Sequence, residues 1–293
     1  MIEIAGLSRA FGARRVLDEI RLAIGAGERV ALVGANGAGK TTLIRCLLGE
    51  YRYEGELRID GLSPRSARTA LLRHVGFVPQ LPPPLRMPVG ELLRFAAEVC
   101  GCQRERMEEV ARRLALDPVA VRRQPFARLS GGQKQKLLIA VALGRDARLL
   151  LMDEPAANLD PAARGVFFEL LAERAGRATM LLSSHRLDEV ASLVSRVVEL
   201  DHGRVVLDDH VAEGPGAGHR LACRIVMRRS EPAFTRALER WGVRGDDAGL
   251  TFEGHVASPD RLRFLALLSR WGGQVRSIHL EDDSPSSGAS STS

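Results

Sequence analysis

The sequence predicts a parallel α/β fold with an antiparallel β subdomain and a helical insertion, followed by a small α+β domain. Short apolar runs alternate with helical patterns through about residue 210, as strands and helices do around a parallel sheet. Residues 149–152, Leu-Leu-Leu-Met, are continuously apolar, as in a strand covered on both faces. Beyond a Gly- and Pro-rich stretch near residue 213 the composition changes, and both Trp residues appear. With 293 residues the chain has room for one large domain and one small one.

Strands are expected at 2–7, 16–24, 29–33, 56–59, 75–78, 149–152, 179–183, 197–200 and 204–207. Ile20, Leu22 and Ile24 alternate along the second of these, as in a half-buried antiparallel strand. Val89, Leu92, Leu93, Ala96 and Ala97 fall at i, i+3, i+4, i+7 and i+8, the apolar stripe of a helix, and Leu187, Val190, Ala191 and Val194 repeat it. From Val89 to about Leu129 helices follow without strands, which marks a helical subdomain at about 87–145. The expected division is a first domain over 1–212, a linker at 213–219, an accessory domain over 220–282 and a disordered Ser-rich tail at 283–293.

The accessory domain holds an internal repeat. Ala233 to Gly242 aligns with Arg263 to Gly272, with Phe, Leu, Arg, Trp and Gly recurring 30 residues apart. Phe234, Leu238 and Trp241 lie at i, i+4 and i+7, so each copy reads as an amphipathic helix ended by Gly. Strand-like segments at 221–227, 250–256 and 274–280 flank them, the pattern of a ferredoxin-like split βαβ domain. The repeated aromatics are read as its packed core.

Composition narrows the function classes. With 45% apolar and 27% charged residues, the chain is neither collagen-like nor fully disordered nor a disulfide scaffold. The balance of 42 basic against 36 acidic residues fits an anionic ligand or a membrane-facing partner. A nucleic-acid groove would carry a denser basic stripe, so no nucleic-acid partner is expected. Cys46, Cys100, Cys102 and Cys223 form no C-x-x-C pair and read as reduced thiols of a cytosolic protein; Cys100 and Cys102 alone are too few for a metal site. The start lacks a basic region and a long apolar core, so no signal peptide is expected. No apolar run nears the roughly 20 residues that cross a bilayer.

Gly34-Ala35-Asn36-Gly37-Ala38-Gly39-Lys40-Thr41 matches G-x-x-x-x-G-K-[ST], following an apolar strand and opening a helix. Glycines let backbone N–H groups close around phosphates, and a helix N-terminus adds its positive end. Lys40 brings a compact charge to the outer phosphates, and only three of the 42 basic residues are Lys. Thr41 is placed to bind Mg²⁺, and Thr42 extends the same site. Asp153-Glu154 follows the apolar strand at 149–152: Asp153 faces the Mg²⁺ shell, while Glu154 polarises a water for in-line attack on a γ-phosphate. Ser130, Gly131, Gly132 and Gln133 sit at the start of another helix and offer a second phosphate-binding surface. One chain does not readily place both surfaces on one phosphate.

At this point the chain resembles the ATP-binding subunit of ABC transporters over residues 1 to about 212. The glycine loop looks like Walker A, Asp153-Glu154 like Walker B, and residues 129–133 like the signature loop. Gln80 falls at the Q-loop, Asp160 in Asn-Leu-Asp at the D-loop, and His185 at the switch histidine. The resemblance implies ATP and Mg²⁺ as ligands, with Gln80 at the metal and linking nucleotide state to the membrane partner. It implies His185 at the γ-phosphate, and two subunits paired head to tail, each signature loop closing over the other's ATP. The partners are then a second copy or a homologous ATPase subunit, and an integral membrane permease that holds the chain at the inner face of the membrane. The adenine-stacking aromatic is commonly Tyr in this family, and Phe11 stands in its place here.

The residues around 93–101 and 183–190, with the appended domain, look most like ABC-2-type export systems. An importer cassette with a ligand-sensing C-terminal domain is the alternative reading. A soluble ABC ATPase usually carries two cassettes or long insertions, which this chain lacks.

Overall fold

The computed structural model describes residues 1–185, 190, 193–210, 220–239, 241–257, 264–265, 267–268, 271 and 273–282. The expectations for Leu187, Ala191, the linker at 213–219, most of the second repeat helix and the tail lie outside these residues. Two compact units are present: one holds Met1–His185 and Leu193–Asp209, the other the described residues from His210 onward.

In the first unit, β1 (Ile2–Phe11) lies between β2 (Arg14–Ile24) and β4 (Glu54–Ile59) in an antiparallel sheet. Along β2, Leu17, Ile20, Leu22 and Ile24 are buried while Arg21 and Ala23 are exposed, as the sequence alternation requires. A six-stranded sheet carries the site. Its order is β5 (Val75–Val78), β6 (Leu149–Asp153), β7 (Thr179–Ser184), β3 (Arg29–Val33), β8 (Arg196–Asp201) and β9 (Arg204–His210). The first five run parallel. Strands β6 and β7 are buried at every residue, which accounts for their unbroken apolar reading.

The helices connect these strands: α1 (Lys40–Leu47), α2 (Arg68–Leu72), α3 (Val89–Cys100), α4 (Arg104–Arg113), α5 (Gly131–Leu143) and α6 (Pro161–Ala172). Of these, α3, α4 and α5 form the helical insertion. The α3 stripe Val89, Leu92, Leu93, Ala96 and Ala97 is buried, and Gly101 ends the helix at φ +63. Buried Arg196 ties β8 to β2, to the turn before β3 and to β9. Its guanidinium donates to Ala23 O at 2.7 Å, to Glu28 Oε2 at 2.9 Å and to both carboxylate oxygens of Asp208 at 2.7 and 2.8 Å.

The second unit is a four-stranded antiparallel sheet of β10 (Arg220–Met227), β11 (Arg244–Gly245), β12 (Thr251–Ala257) and β13 (Val275–Asp282), in the order β11-β12-β10-β13. Helix α7 (Pro232–Glu239) lies between β10 and β11. The short strand β11 has too few residues for a periodicity and was not foreseen. Phe234, Phe252 and Phe264 are fully buried; Phe234 meets Phe252 at 5.2 Å between centroids and Trp271 at 5.3 Å, and Trp241 meets Phe264 at 5.3 Å. The repeated aromatics are therefore one core, and each edge-to-face pair adds about 0.5–1.5 kcal/mol beyond area burial.

Candidate functional site: a phosphate-binding loop between two sheets

Strand β3 ends at Val33, and residues 34–39 wrap onto the N-terminus of α1. Gly34 has φ +143, and a Cβ there would stand 2.2 Å from Leu200 O; Gly39, the N-cap, has φ +112, and a Cβ would stand 2.8 Å from Leu17 Cδ2. Neither position admits a side chain, so the loop lies tight against β8 and β2. The Lys40 ammonium, buried at 6% exposure, donates to Gly34 O at 2.7 Å and Ala35 O at 3.2 Å. Among the described residues no carboxylate pairs with it. A buried cation held only by neutral carbonyls suits a site built for an anion.

A cavity of about 330 Å³ opens beside this loop. Asn36, Gly37, Gly39, Lys40, Thr41 and Thr42 form one wall; Val16, Gln80, Asp153 and Glu154 form the rest. Gln80 reaches it just past the end of β5, and Asp153 and Glu154 from the end of β6. Thr41, Gln80 and Asp153 offer a hydroxyl, an amide carbonyl and a carboxylate, the all-oxygen donor set that a hard divalent cation takes. The residues thus fit both a polyphosphate and Mg²⁺.

Ser183 on β7 holds the Asp153 carboxylate and the Glu154 backbone. It faces Asp153 across the ladder and donates its hydroxyl to Asp153 Oδ1 at 2.6 Å, while its Oγ accepts the Glu154 backbone N–H at 2.9 Å. Sequence reasoning missed it, although a Ser inside the apolar run Thr-Met-Leu-Leu-Ser-Ser is the signal that marks it. Glu154 adopts φ +49, a left-handed conformation uncommon outside glycine. Its Oε2 lies 2.6 Å from His185 Nδ1, and the Glu154 side chain is 9% exposed against 53% for His185.

Ser130, Gly131, Gly132, Gln133, Asp160, His185 and Phe11 do not line this cavity. Ser130 and Gln133 form a capping box at the start of α5: Gln133 N–H donates to Ser130 Oγ at 3.2 Å, and Ser130 N–H to Gln133 Oε1 at 3.0 Å. Helix α5 therefore starts at Gly131, with Ser130 as its cap. Asp160 caps α6, accepting the Ala163 N–H at 2.8 Å, and pairs with Lys136 Nζ at 2.9 Å. The Ala163 N–H and then Lys136 hold its carboxyl below the usual range. Buried Gln135 donates to Pro155 O at 2.8 Å, so α5 is tied to the segments that follow β6 at two points. The Phe11 ring is 42% exposed, with the Arg9 guanidinium 4.4 Å from its centroid and Tyr51 edge-on at 5.3 Å.

A parallel sheet whose glycine loop feeds a helix N-terminus, with a buried lysine and an acidic pair at the adjoining strand end, defines a P-loop nucleoside triphosphatase. A family model described as ABC transporter matches residues 17–157. The Nod factor export ATP-binding protein I of Sinorhizobium fredii (strain NBRC 101917 / NGR234) is 35% identical over 294 aligned residues, covering 96% of this chain and 84% of its own. The phosphonates import ATP-binding protein PhnC of Cupriavidus pinatubonensis is 36% identical over 239 residues, covering 74% and 83%. A solved structure of an ATP-binding subunit of an ABC transporter superposes with a TM-score of 0.66 at 29% identity, covering 72% of this chain and 90% of that one. This chain belongs to the ATP-binding proteins of ABC transporters. Among its described helices none is long and apolar enough to cross a membrane.

Proposed function

We propose that the chain hydrolyses ATP in a head-to-tail dimer and drives export through a separate membrane-spanning permease, at the inner face of the membrane. The observation that carries this reading is the division of the site. Lys40, Asp153 and Glu154 meet at one cavity, while the capped, exposed loop at Ser130–Gln133 stands apart from it. A second subunit, a copy or a homologue, supplies that loop to the first one's nucleotide. Export is favoured because the similarity to an export subunit runs through 96% of this chain, whereas the similarity to an import subunit covers 74%.

In this reading the backbone of residues 34–39 and the Lys40 ammonium hold the phosphates, and Thr42 adds a hydroxyl. Thr41, Gln80 and Asp153 hold Mg²⁺, which when bound neutralises charge on the outer phosphate oxygens. Ser183 keeps Asp153 turned to that position. Glu154 accepts a proton from the water that attacks the γ-phosphate in line, and His185, against its Oε2, holds the carboxylate in place beside the γ-phosphate. Phe11 offers a stacking face for adenine. Asp160, through Lys136, fixes the start of α6 relative to the signature helix.

The cassette spans residues 1–212, joined by 213–219 to an accessory domain over 220–282. The strand order of that domain and its α7 crossover support the ferredoxin-like reading. Purification of the chain with its native membrane partner tests the assignment. Recovery of a multi-span membrane protein whose presence stimulates ATP hydrolysis supports it, and ATPase activity from a chain that recruits no membrane protein counts against it.

A further inference from the structure

The β1–β2 hairpin brings a cation to the phosphate loop that neither motif nor composition marks. Arg14 is the first residue of β2 and pairs with Phe11 across the Gly12–Ala13 turn. Directly paired residues on antiparallel strands project from the same face, so ring and guanidinium leave the hairpin together. A Cβ built on Gly37 would lie 3.9 Å from Arg14 Nη2, which sets the guanidinium over the P-loop. The strand continues along the same rim: Val16 lines the cavity, and a Cβ on Gly39 would lie 3.0 Å from Val16 O.

The neighbouring arginines are already engaged. Arg15 Nη1 donates to Asp18 Oδ1 at 2.7 Å, Arg204 Nε donates to Asp18 Oδ2 at 2.8 Å, and Arg9 is stacked on Phe11. Arg14 is exposed, and among the described residues no carboxylate pairs with it. A solvated arginine at the mouth of a cavity that holds a buried lysine raises the positive potential where a polyphosphate enters.

Resting on the reading of this cavity as the ATP site, we propose that Arg14 is a second cationic contact for the nucleotide's phosphate chain. It acts from the exposed rim over Gly37, while Lys40 acts from the buried interior. The planar guanidinium presents two parallel N–H groups to phosphate oxygens, a geometry that lysine does not reproduce.

Fluorescence titration of Arg14→Ala, Arg14→Lys and Lys40→Ala with ATP, ADP and AMP, at low and high salt, tests this. Arg14→Ala is expected to weaken ATP and ADP by about tenfold and AMP by less than about threefold, with a shallower dependence on salt. Arg14→Lys is expected to recover part of the loss, and both Arg14 variants, altered at an exposed position, to keep the wild-type Tm. Unchanged ATP affinity in Arg14→Ala overturns the proposal. An equal loss for all three nucleotides also overturns it, by placing the contact at the base or ribose. The Lys40→Ala arm separates the two claims: if that variant binds ATP normally, the cavity is not the ATP site. If it loses binding while Arg14→Ala does not, only the Arg14 assignment falls.

Discussion

In the proposed function Glu154 is the residue on which the chemistry turns, and its surroundings hold the carboxylate in place for the role of base. Its backbone is turned to φ +49, its N–H is anchored on Ser183, and its Oε2 meets His185 at 2.6 Å. Replacing it by Gln keeps shape and hydrogen bonding but removes the base. Glu154→Gln is therefore expected to bind ATP normally and to hydrolyse it at least about 10²-fold more slowly, as measured by phosphate release. A wild-type rate in that variant removes Glu154 from the role. Lys40→Ala leaves the phosphates without their buried cation, and ATP affinity should fall by about 10²-fold or more in equilibrium titration; retained affinity would refute the P-loop assignment. The cysteines offer a check on packing. Burial pushes the Cys46 thiol up to about 11 and raises Cys223 as well. Burial and then the neighbouring Cys100 raise the Cys102 thiol too. Cys100 and Cys102 are half-buried, however, where Cys46 and Cys223 are buried. The buried pair should therefore resist thiol-reactive probes at pH 8 in the folded protein, while Cys100 labels first and Cys102 more slowly, by mass spectrometry.

The signature helix shows how one element serves two purposes. Ser130 is both a candidate contact for the partner's phosphate and the cap of α5. Ser130→Ala loses the cap and should lower stability by about 1 kcal/mol. Ser130→Asp retains a capping oxygen but sets a negative charge against the phosphate, so it should keep the wild-type Tm while abolishing ATP-driven dimerisation. A Ser130→Asp protein that dimerises normally contradicts the trans role. Asp160 carries a pH signature. Its carboxyl is held below the usual range in the folded state, so its contribution is fully present above about pH 4 and is lost as pH falls through the lowered folded value. Asp160→Asn should lower stability at neutral pH, where that contribution is fully present, and flatten the acid limb of a stability-versus-pH curve below about pH 4, by denaturant unfolding. Strands with buried faces on both sides were legible to the residue: 29–33 and 75–78 match β3 and β5. The outer end of β9 was not, because Asp208, Asp209 and His210 are polar and carry no apolar alternation; that of β1 was not, because register shifts after Ile4 bury Leu7 and Ser8 together and leave Ala10 and Phe11 exposed. The P-loop and acidic pair were legible because their chemistry demands fixed residue types at fixed spacing. Ser183 and Lys136 were not, since each acts through a neighbour brought near by folding rather than by sequence, and Arg14 was not, since only the folded hairpin sets it beside Gly37.

At the scale of the molecule, one hydrophobic core among the described residues surrounds the two sheets of the first unit and another the aromatic repeat, and the two stand apart in sequence. A chain ending at residue 219 should therefore still fold and bind ATP with wild-type affinity, since the P-loop, the acidic pair and the capping box all lie within the first unit. Aggregation or lost binding in that truncated protein would show that the cassette depends on the accessory domain. In the proposed function the separation of the signature loop from the P-loop cavity makes the dimer the functional unit, with ATP bridging two donor-rich surfaces and ADP spanning only part of the gap. Sedimentation velocity of Glu154→Gln with Mg²⁺ and either ATP or ADP tests this most directly. The account predicts a dimer with ATP and a monomer with ADP. A monomer at saturating ATP, or the same association state with both nucleotides, would contradict it.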